Sequence, residues 1–259
     1  MIVIPDAARR AADHLLAGAE GGLADLPEDC RPTTDAEAYL IQDEMIRRLG
    51  QPEAWKVAPA SGGDVPRCSP VFEAVAAGQP FRSPLRAPLV ELEIGFVLAS
   101  DLTTASQGTI ADAIGEAVAV FELLDSRFVD RKAVSRWSSL ADRQSNIAAV
   151  IGTGTAAWQG LEFADLGAEL RVDETTSTAG KPPASTAAVR EAVAWLADHL
   201  AARGHGLRRG QCILTGARLG PVPVAPGARL HGIVEGVGEV SATIPQQDPD
   251  IFHKKDHQP

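Results

Sequence analysis

Apolar positions along this chain follow two different periods. Residues 34 to 49, "TDAEAYLIQDEMIRRL", place Ala38, Ile41, Met45 and Leu49 on one stripe at helical spacing. Thr34 can cap that helix, Glu37 stands three residues later as in a capping box, and Gly50 ends it. Residues 5 to 20 read as a second, amphipathic helix. From residue 90 the texture changes to strands: "VELEIGFVLA", then "VAVFELLDS" (118 to 126), "IAAVIGTG", "LEFADLGAELRVD" (161 to 173), "QCILTGA", "GARLHGIVEG" and "GEVSATI". Two helices interrupt them. One covers 109 to 118, with Thr109 and Asp112 as its capping pair. The other covers 185 to 204, with Val189, Ala192, Val193, Leu196 and Leu200 on one face. Residues 59 to 89 are rich in Pro, Gly and Ser, which predicts loops with one short helix at 72 to 77. The pattern describes an α+β chain: an N-terminal helical and loop region (1–80), a strand-rich body (81–249) and a polar tail (250–259).

The stretch "VELEIGFVL", residues 90 to 98, contains a contradiction. Seven of its nine residues are apolar or glycine, so the strand should be mostly buried. Yet Glu91 and Glu93 are two apart and share a face. A buried carboxylate is costly, and two on one face repel each other. Either that face is the solvated side of an edge strand, or something positive sits between them. A hard divalent cation such as Mg²⁺ or Mn²⁺ suits carboxylate oxygens. Such an ion commonly takes a third acid, and Glu122, again inside an apolar run, is the candidate.

Composition narrows the function classes. The chain has 259 residues, 45% of them hydrophobic, and a formal net charge of -10. With no basic tract longer than a pair such as Arg208-Arg209, neither nucleic acid nor an anionic membrane is an expected partner. No apolar run approaches the roughly 20 residues of a membrane span. Pro5, Asp6, Arg9 and Arg10 break the first stretch, so it does not read as a secretory signal. Cys30, Cys68 and Cys212 are odd in number and far apart, which fits a reducing cytoplasm.

"VELEIGFVL", "FELLDSR" about thirty residues on, and "ILTGA" followed by "GPVPVAPG" resemble the hydratase/decarboxylase branch of the fumarylacetoacetate hydrolase superfamily. These are 2-keto-4-pentenoate hydratases and 4-oxalocrotonate decarboxylases. The similarity extends from "DAEAYLIQ" to "GVGEVSATI", nearly the whole chain. The resemblance implies a rolled, mixed β-sheet body with an N-terminal helical region. It also implies homo-oligomers, with a complex to a related hydratase or decarboxylase subunit as a further possibility. It makes Glu91, Glu93 and Glu122 the ligands of Mg²⁺ or Mn²⁺. The substrate would be a small 2-oxo or 2-hydroxydienoic acid, converted through a metal-stabilised enolate. Two outcomes are open: hydration to a 4-hydroxy-2-oxo acid, or decarboxylation of a vinylogous 2-oxo diacid.

The same resemblance marks Lys56, in "EAWKVAP", as the acid/base group, with a pKa lowered by desolvation and the metal. The alternative is a surface lysine lying along Trp55. Asp142, in "SLADRQSN", matches an active-site aspartate that orients water or lysine; otherwise it is a turn residue. Asp125 and Arg127 read as a structural ion pair behind the ligands. Thr215 and Gly216 occupy a turn whose backbone N–H groups can meet a substrate carboxylate.

Several polar residues of the family are absent. Ala217 replaces a hydroxyl in "TGA", and Pro59 and Ala60 follow Lys56 where a polar pair is usual. Arg143 and Arg218 lie near these changes and could bind an extra acidic group, or could face solvent. The thinned contacts point to a substrate that is bulkier or more apolar at its far end, or to a repurposed or non-catalytic member. An acylpyruvate-type C–C hydrolase would need a Glu–His pair, and no histidine occurs between His14 and His199.

Overall fold

Thr34 accepts the Glu37 N–H at 3.2 Å and starts α2 (Asp35–Leu49). Glu37 reaches back to the N–H and hydroxyl of Thr33, at 2.7 and 2.9 Å, one residue earlier than the usual capping box. Acids in the first turn and Arg47 and Arg48 in the last complement the helix dipole. Helix α1 (Asp6–Ala17) packs against it through Ala8, Ala11, Ala12 and Leu15. The computed structural model describes residues 3–18, 22–60, 64–103, 107–178 and 184–246, so the expected tail at 250–259 and the end of the helix at 5 to 20 lie outside them.

Eleven strands are described: β1 (Ala54–Ala58), β2 (Arg67–Val71), β3 (Ala74–Ala76), β4 (Leu89–Leu98), β5 (Ile114–Leu124), β6 (Asn146–Thr155), β7 (Ala168–Val172), β8 (Thr175–Thr178), β9 (Cys212–Pro223), β10 (Arg229–Val234) and β11 (Gly238–Thr243). Seven form a mixed sheet in the order β2-β1-β9-β4-β5-β6-β3, and four form a second sheet, β11-β10-β7-β8. Three further helices are α3 (Gln107–Ala113), α4 (Arg136–Ala141) and α5 (Thr186–Ala202). No described helix is long and apolar enough to cross a membrane.

Alternation along β4 and β5 divides the sheet's two faces. Val90, Leu92, Ile94 and Phe96, with Phe121 and Leu123, enter the main core. That core is covered by the second sheet and by α5. Gly232 of β10 shows how close the cover is: a Cβ there would stand 2.7 Å from Leu92 Cδ1 and 2.8 Å from Phe121 Cε1. The other face carries Val118, Val120, Ala149, Cys212 and Leu214 as a separate apolar cluster. Glu91, Glu93 and Glu122 continue this face.

The sheet is rolled. Lys56 on β1 and Glu122 on β5 are three strand positions apart, about 14 Å on a flat sheet. Their side chains nevertheless meet at 2.7 Å, so they reach each other across the inside of the roll.

Three local expectations are corrected. Residues 72 to 77 form no helix: "AVA" becomes β3, paired in parallel with β6, because an available sheet edge overrides helix propensity. Residues 67–71 form β2, and Pro70 is tolerated because β2 is the outermost strand. Helix α3 begins at Gln107, so Thr109 lies inside it and does not cap it, and "IGEAV" already belongs to β5. The strands before residue 80 thus join the same sheet as those after it.

Candidate metal and acid/base site

Glu91 and Glu122 are direct partners across β4 and β5, and Glu93 follows two residues on. One carboxylate oxygen from each of the three lies within 4.8 Å of the others. Glu93 and Glu122 are 0% exposed, and Glu91 is half-buried at the edge. Direct antiparallel pairing makes opposite residues share a face, which is why the acids converge.

Each buried glutamate has one oxygen anchored and one free. Glu122 Oε1 accepts from Lys56 Nζ at 2.7 Å and from Asn146 Nδ2 at 2.8 Å. Glu93 Oε2 accepts from the Gly216 N–H at 2.8 Å. Glu93 Oε1 and Glu122 Oε2 are buried without a hydrogen-bond partner. Unpartnered, buried carboxylate oxygens are costly unless a cation takes them. The donor set, three hard anionic oxygens beside one ammonium, fits Mg²⁺ or Mn²⁺.

The electrostatics agree. Burial first, then the neighbouring Glu122, pushes the Glu93 carboxyl well above the usual range. Burial also raises Glu91, against the pull of Lys56. For Lys56, burial favours the neutral amine, but Glu122, Glu91 and Glu93 together outweigh it and hold the pKa above the ordinary value. Of the two causes expected from sequence, burial does act to lower the Lys56 pKa, and the three carboxylates oppose it. Lys56 is 7% exposed, so it is no surface lysine.

Thr215 and Gly216 lie inside β9 and not in a turn: Gly216, with a φ of +102° open to glycine, sits at an irregularity in the β4–β9 register that aims its N–H at Glu93. Pro59 lies against it, 3.4 Å from where a Cβ would be. The Thr215 hydroxyl donates to the Ile94 carbonyl at 2.7 Å. Both residues brace β4, and the Gly216 N–H is already committed to Glu93. Ala217, in register with Glu93, is exposed.

Asp142 is buried, and its carboxylate accepts from Ser126 Oγ at 2.8 Å and from the Arg127 guanidinium. Arg127 therefore pairs with Asp142, not with Asp125. Asp125 accepts instead from the backbone N–H groups of Arg86 and Ala87. Arg127 also donates to the Asn146 carbonyl at 2.8 Å, so the pair fixes the start of β6. Arg143, Gln144 and Ser145 all have positive φ, at 55°, 54° and 68°. Three consecutive left-handed residues without glycine cost about 1–2 kcal/mol each. Ser69 Oγ donates to Gln144 Oε1 at 3.0 Å and helps to hold this turn. Arg143 is buried over the Phe72 ring, and burial, then Arg127, pushes its pKa down to about 9. Arg218 is buried too and donates to the Leu166 carbonyl at 2.5 Å. Neither arginine faces solvent, and the Nε of each is buried without a hydrogen-bond partner.

Asn146 was not legible as a site residue: it is the last letter of "ADRQSN" and the first of β6. Its amide leaves Glu122 only one free oxygen. Asn146→Ala is expected to weaken Mg²⁺ binding by about 10- to 100-fold, as loss of a ligand's support does. Calorimetric titration with Mg²⁺ checks this, and an unchanged affinity would exclude the role.

Residues 68–245 match the family described as fumarylacetoacetate (FAA) hydrolase C-terminal. The chain is 32% identical over 241 residues to a 2-keto-4-pentenoate hydratase of Paraburkholderia phymatum, covering 86% of this chain and 90% of the relative. It is 30% identical over 264 residues to the TodF product hydratase of Pseudomonas putida, covering 92% and 95%. A 4-oxalocrotonate decarboxylase from Pseudomonas putida, solved with magnesium and adipate, shares the fold with a TM-score of 0.76 at 24% identity, over 94% of this chain and 99% of the other.

Proposed function

Since the chain belongs to the fumarylacetoacetate hydrolase family, we propose that it is a divalent-metal-dependent lyase that hydrates a 2-hydroxydienoic acid to a 4-hydroxy-2-oxo acid. One observation carries this reading: the Lys56 ammonium is held at 2.7 Å on Glu122, inside a cluster of three glutamates, two of which keep a free, buried oxygen.

Glu91, Glu93 and Glu122 would hold Mg²⁺ or Mn²⁺. A bound ion of this kind supplies Lewis acidity toward a chelating 2-oxo acid. Lys56 keeps a proton within the roll, beside where the carbon chain would lie. In the proposed reaction Lys56 gives a proton to carbon 5 and regains one as the 2-hydroxyl becomes a ketone. Water then adds its hydroxyl to carbon 4 and a proton to carbon 3. The apolar wall of Val118, Val120 and Leu214 limits stray water around that exchange. Asp142 acts at one remove: through Arg127 it positions Asn146, which in turn orients Glu122.

The site also supports a preference for longer substrates. Pro59, Ala60 and Ala217 offer no side-chain hydroxyl near Gly216 and Glu93. Each hydroxyl contact is worth about 0.5–1.5 kcal/mol, so losing two or three weakens a small polar acid roughly tenfold or more. Metal-loaded protein is expected to consume 2-hydroxyhepta-2,4-dienoate at least tenfold more efficiently than 2-hydroxypenta-2,4-dienoate, followed by loss of the dienol absorbance. Release of CO₂ from a vinylogous 2-oxo diacid without hydration would reassign the site to decarboxylation. No reaction with any dienoate would overturn the proposal.

A further inference from the structure

A pocket opens beside α1 and α2, apart from the acid cluster. It encloses about 230 Å³ and has none of Lys56, Glu91, Glu93 or Glu122 in its lining. Leu15, Met45, Phe72 and Ile147 give it an apolar wall. Most of its polar groups are satisfied by the protein itself. Ser83 Oγ donates to Glu73 Oε2 at 2.6 Å, and Ser126 Oγ donates to Asp142 Oδ2 at 2.8 Å. Asp125 accepts from the Arg86 and Ala87 N–H groups, and the Arg86 guanidinium reaches the Ser126 carbonyl. The Arg127 guanidinium is paired with Asp142. Arg143 is the exception. It lines the pocket, is 9% exposed, and its Nε is buried without a hydrogen-bond partner. Among the described residues no hydrogen bond or ion pair holds its guanidinium. Its contact is the Phe72 ring, with 5.1 Å between the guanidinium carbon and the ring centroid. Arg218, the other buried arginine with a free Nε, at least meets the Leu166 carbonyl.

We infer that this pocket is a second small-molecule site, separate from the glutamates, for a monocarboxylate with a compact apolar body, and that Arg143 receives its carboxylate. A buried guanidinium without an acceptor is costly, and an anion removes that cost. The protein does not supply one: the neighbouring Asp142 carboxylate is engaged by Arg127, whose own charge repels Arg143. A guanidinium presents its donors as a fork that matches the two oxygens of a carboxylate in charge-assisted hydrogen bonds. The wall decides the rest of the ligand. A dry apolar cavity of about 150 Å³ holds benzene, so this pocket has room for a body of that size with a carboxylate attached. An inorganic anion would answer the charge and leave the apolar wall without contacts. Leu49, also in the lining, is 49% exposed, so the pocket reaches the surface and a ligand has a way in. The inference does not rest on the reading of Glu91, Glu93 and Glu122, because the two sites share no lining residue.

Three probes test the charge and the body separately: benzoate has both, benzamide has the body alone, and acetate has the charge alone. Each is titrated calorimetrically into Mg²⁺-loaded protein. Benzoate should bind in the millimolar range or tighter, and at least about tenfold more tightly than either control. Arg143→Met should remove the preference for benzoate over benzamide. It deletes an unpaired buried charge, so its Tm should be undiminished, and lost binding is then not lost folding. Leu16→Trp, which crowds the half-buried α1 side of the pocket and leaves Arg143 in place, should weaken benzoate by about tenfold. Glu93→Gln alters the acid cluster and should leave benzoate affinity within about twofold, because distant sites act independently. No heat from millimolar benzoate, or equal affinities for benzoate and benzamide, would overturn the inference. So would acetate binding as tightly as benzoate, which would leave a site for a bare anion. Benzoate binding lost in Glu93→Gln and kept in Arg143→Met would place the ligand on the acid cluster and refute the second site. Each outcome stands whether or not the protein hydrates a dienoate.

Discussion

Replacing Lys56 with methionine is expected to lower kcat by about 10²–10⁴, while affinity for Mg²⁺ stays the same or rises. Lys56 is the cation in direct contact with the cluster, at 2.7 Å from Glu122, and it is 7% exposed. Without it the three carboxylates repel each other unopposed. Removing one partner of a buried pair costs about 3–5 kcal/mol, so metal-free Lys56→Met should melt well below the unaltered protein. A divalent ion relieves the same repulsion, so the Mg²⁺-induced rise in Tm should be larger in the variant. Lys56→Arg separates structure from chemistry. It keeps the charge and should recover much of the metal-free stability, but a guanidinium does not release its proton at working pH, and kcat should stay low. Turnover of Lys56→Met within threefold of the unaltered protein, on any accepted substrate, would remove Lys56 from the mechanism.

The alternation in "VELEIGFVL" was enough to place Glu91 and Glu93 on one face, and the apolar run around Glu122 marked it as a third odd acid. The two-residue period is local, so short-range sequence carries it. What the sequence could not carry is the closure of the roll. Lys56 and Glu122 are 66 residues apart and three strands apart, and their contact depends on sheet curvature, which no local pattern encodes. The family resemblance supplied Lys56 where the residue by itself reads first as a surface lysine lying along Trp55. The same limit explains β2 and β3: "RCSPV" and "AVA" are strands because β1 and β6 offer them edges. The left-handed run at Arg143, Gln144 and Ser145 was also hidden, since no glycine announces it. Asp142 reads from sequence as an acid in the right segment, but the sequence pairs Arg127 with Asp125, whereas its guanidinium turns toward the end of α4 and meets Asp142. Asn146 gave no sequence signal beyond its polarity.

Glu93→Gln is expected to move stability in opposite directions with and without metal. Glu93 is fully buried, and burial and Glu122 already push its carboxyl strongly toward the neutral form. A glutamine keeps the acceptor for the Gly216 N–H, now at 2.8 Å from Glu93 Oε2, and removes one of three clustered negative charges. Metal-free protein should therefore be as stable as the unaltered chain, or more so. The metal-bound state loses an anionic ligand oxygen. Loss of a ligand's outer support alone costs 10- to 100-fold in affinity, so loss of the ligand charge should cost at least about 100-fold. At Mg²⁺ a hundred times above its dissociation constant, the unaltered protein gains about 2.7 kcal/mol. For a chain of this size that is a rise in Tm of roughly 5–10 °C. In Glu93→Gln the same Mg²⁺ concentration should give almost no rise, although the starting Tm is undiminished. Paired melts with Mg²⁺ and with a chelator read both numbers from one sample. A variant that melts earlier without metal and still responds fully to Mg²⁺ would show that Glu93 is a structural acid and that the ion, if bound, is held elsewhere.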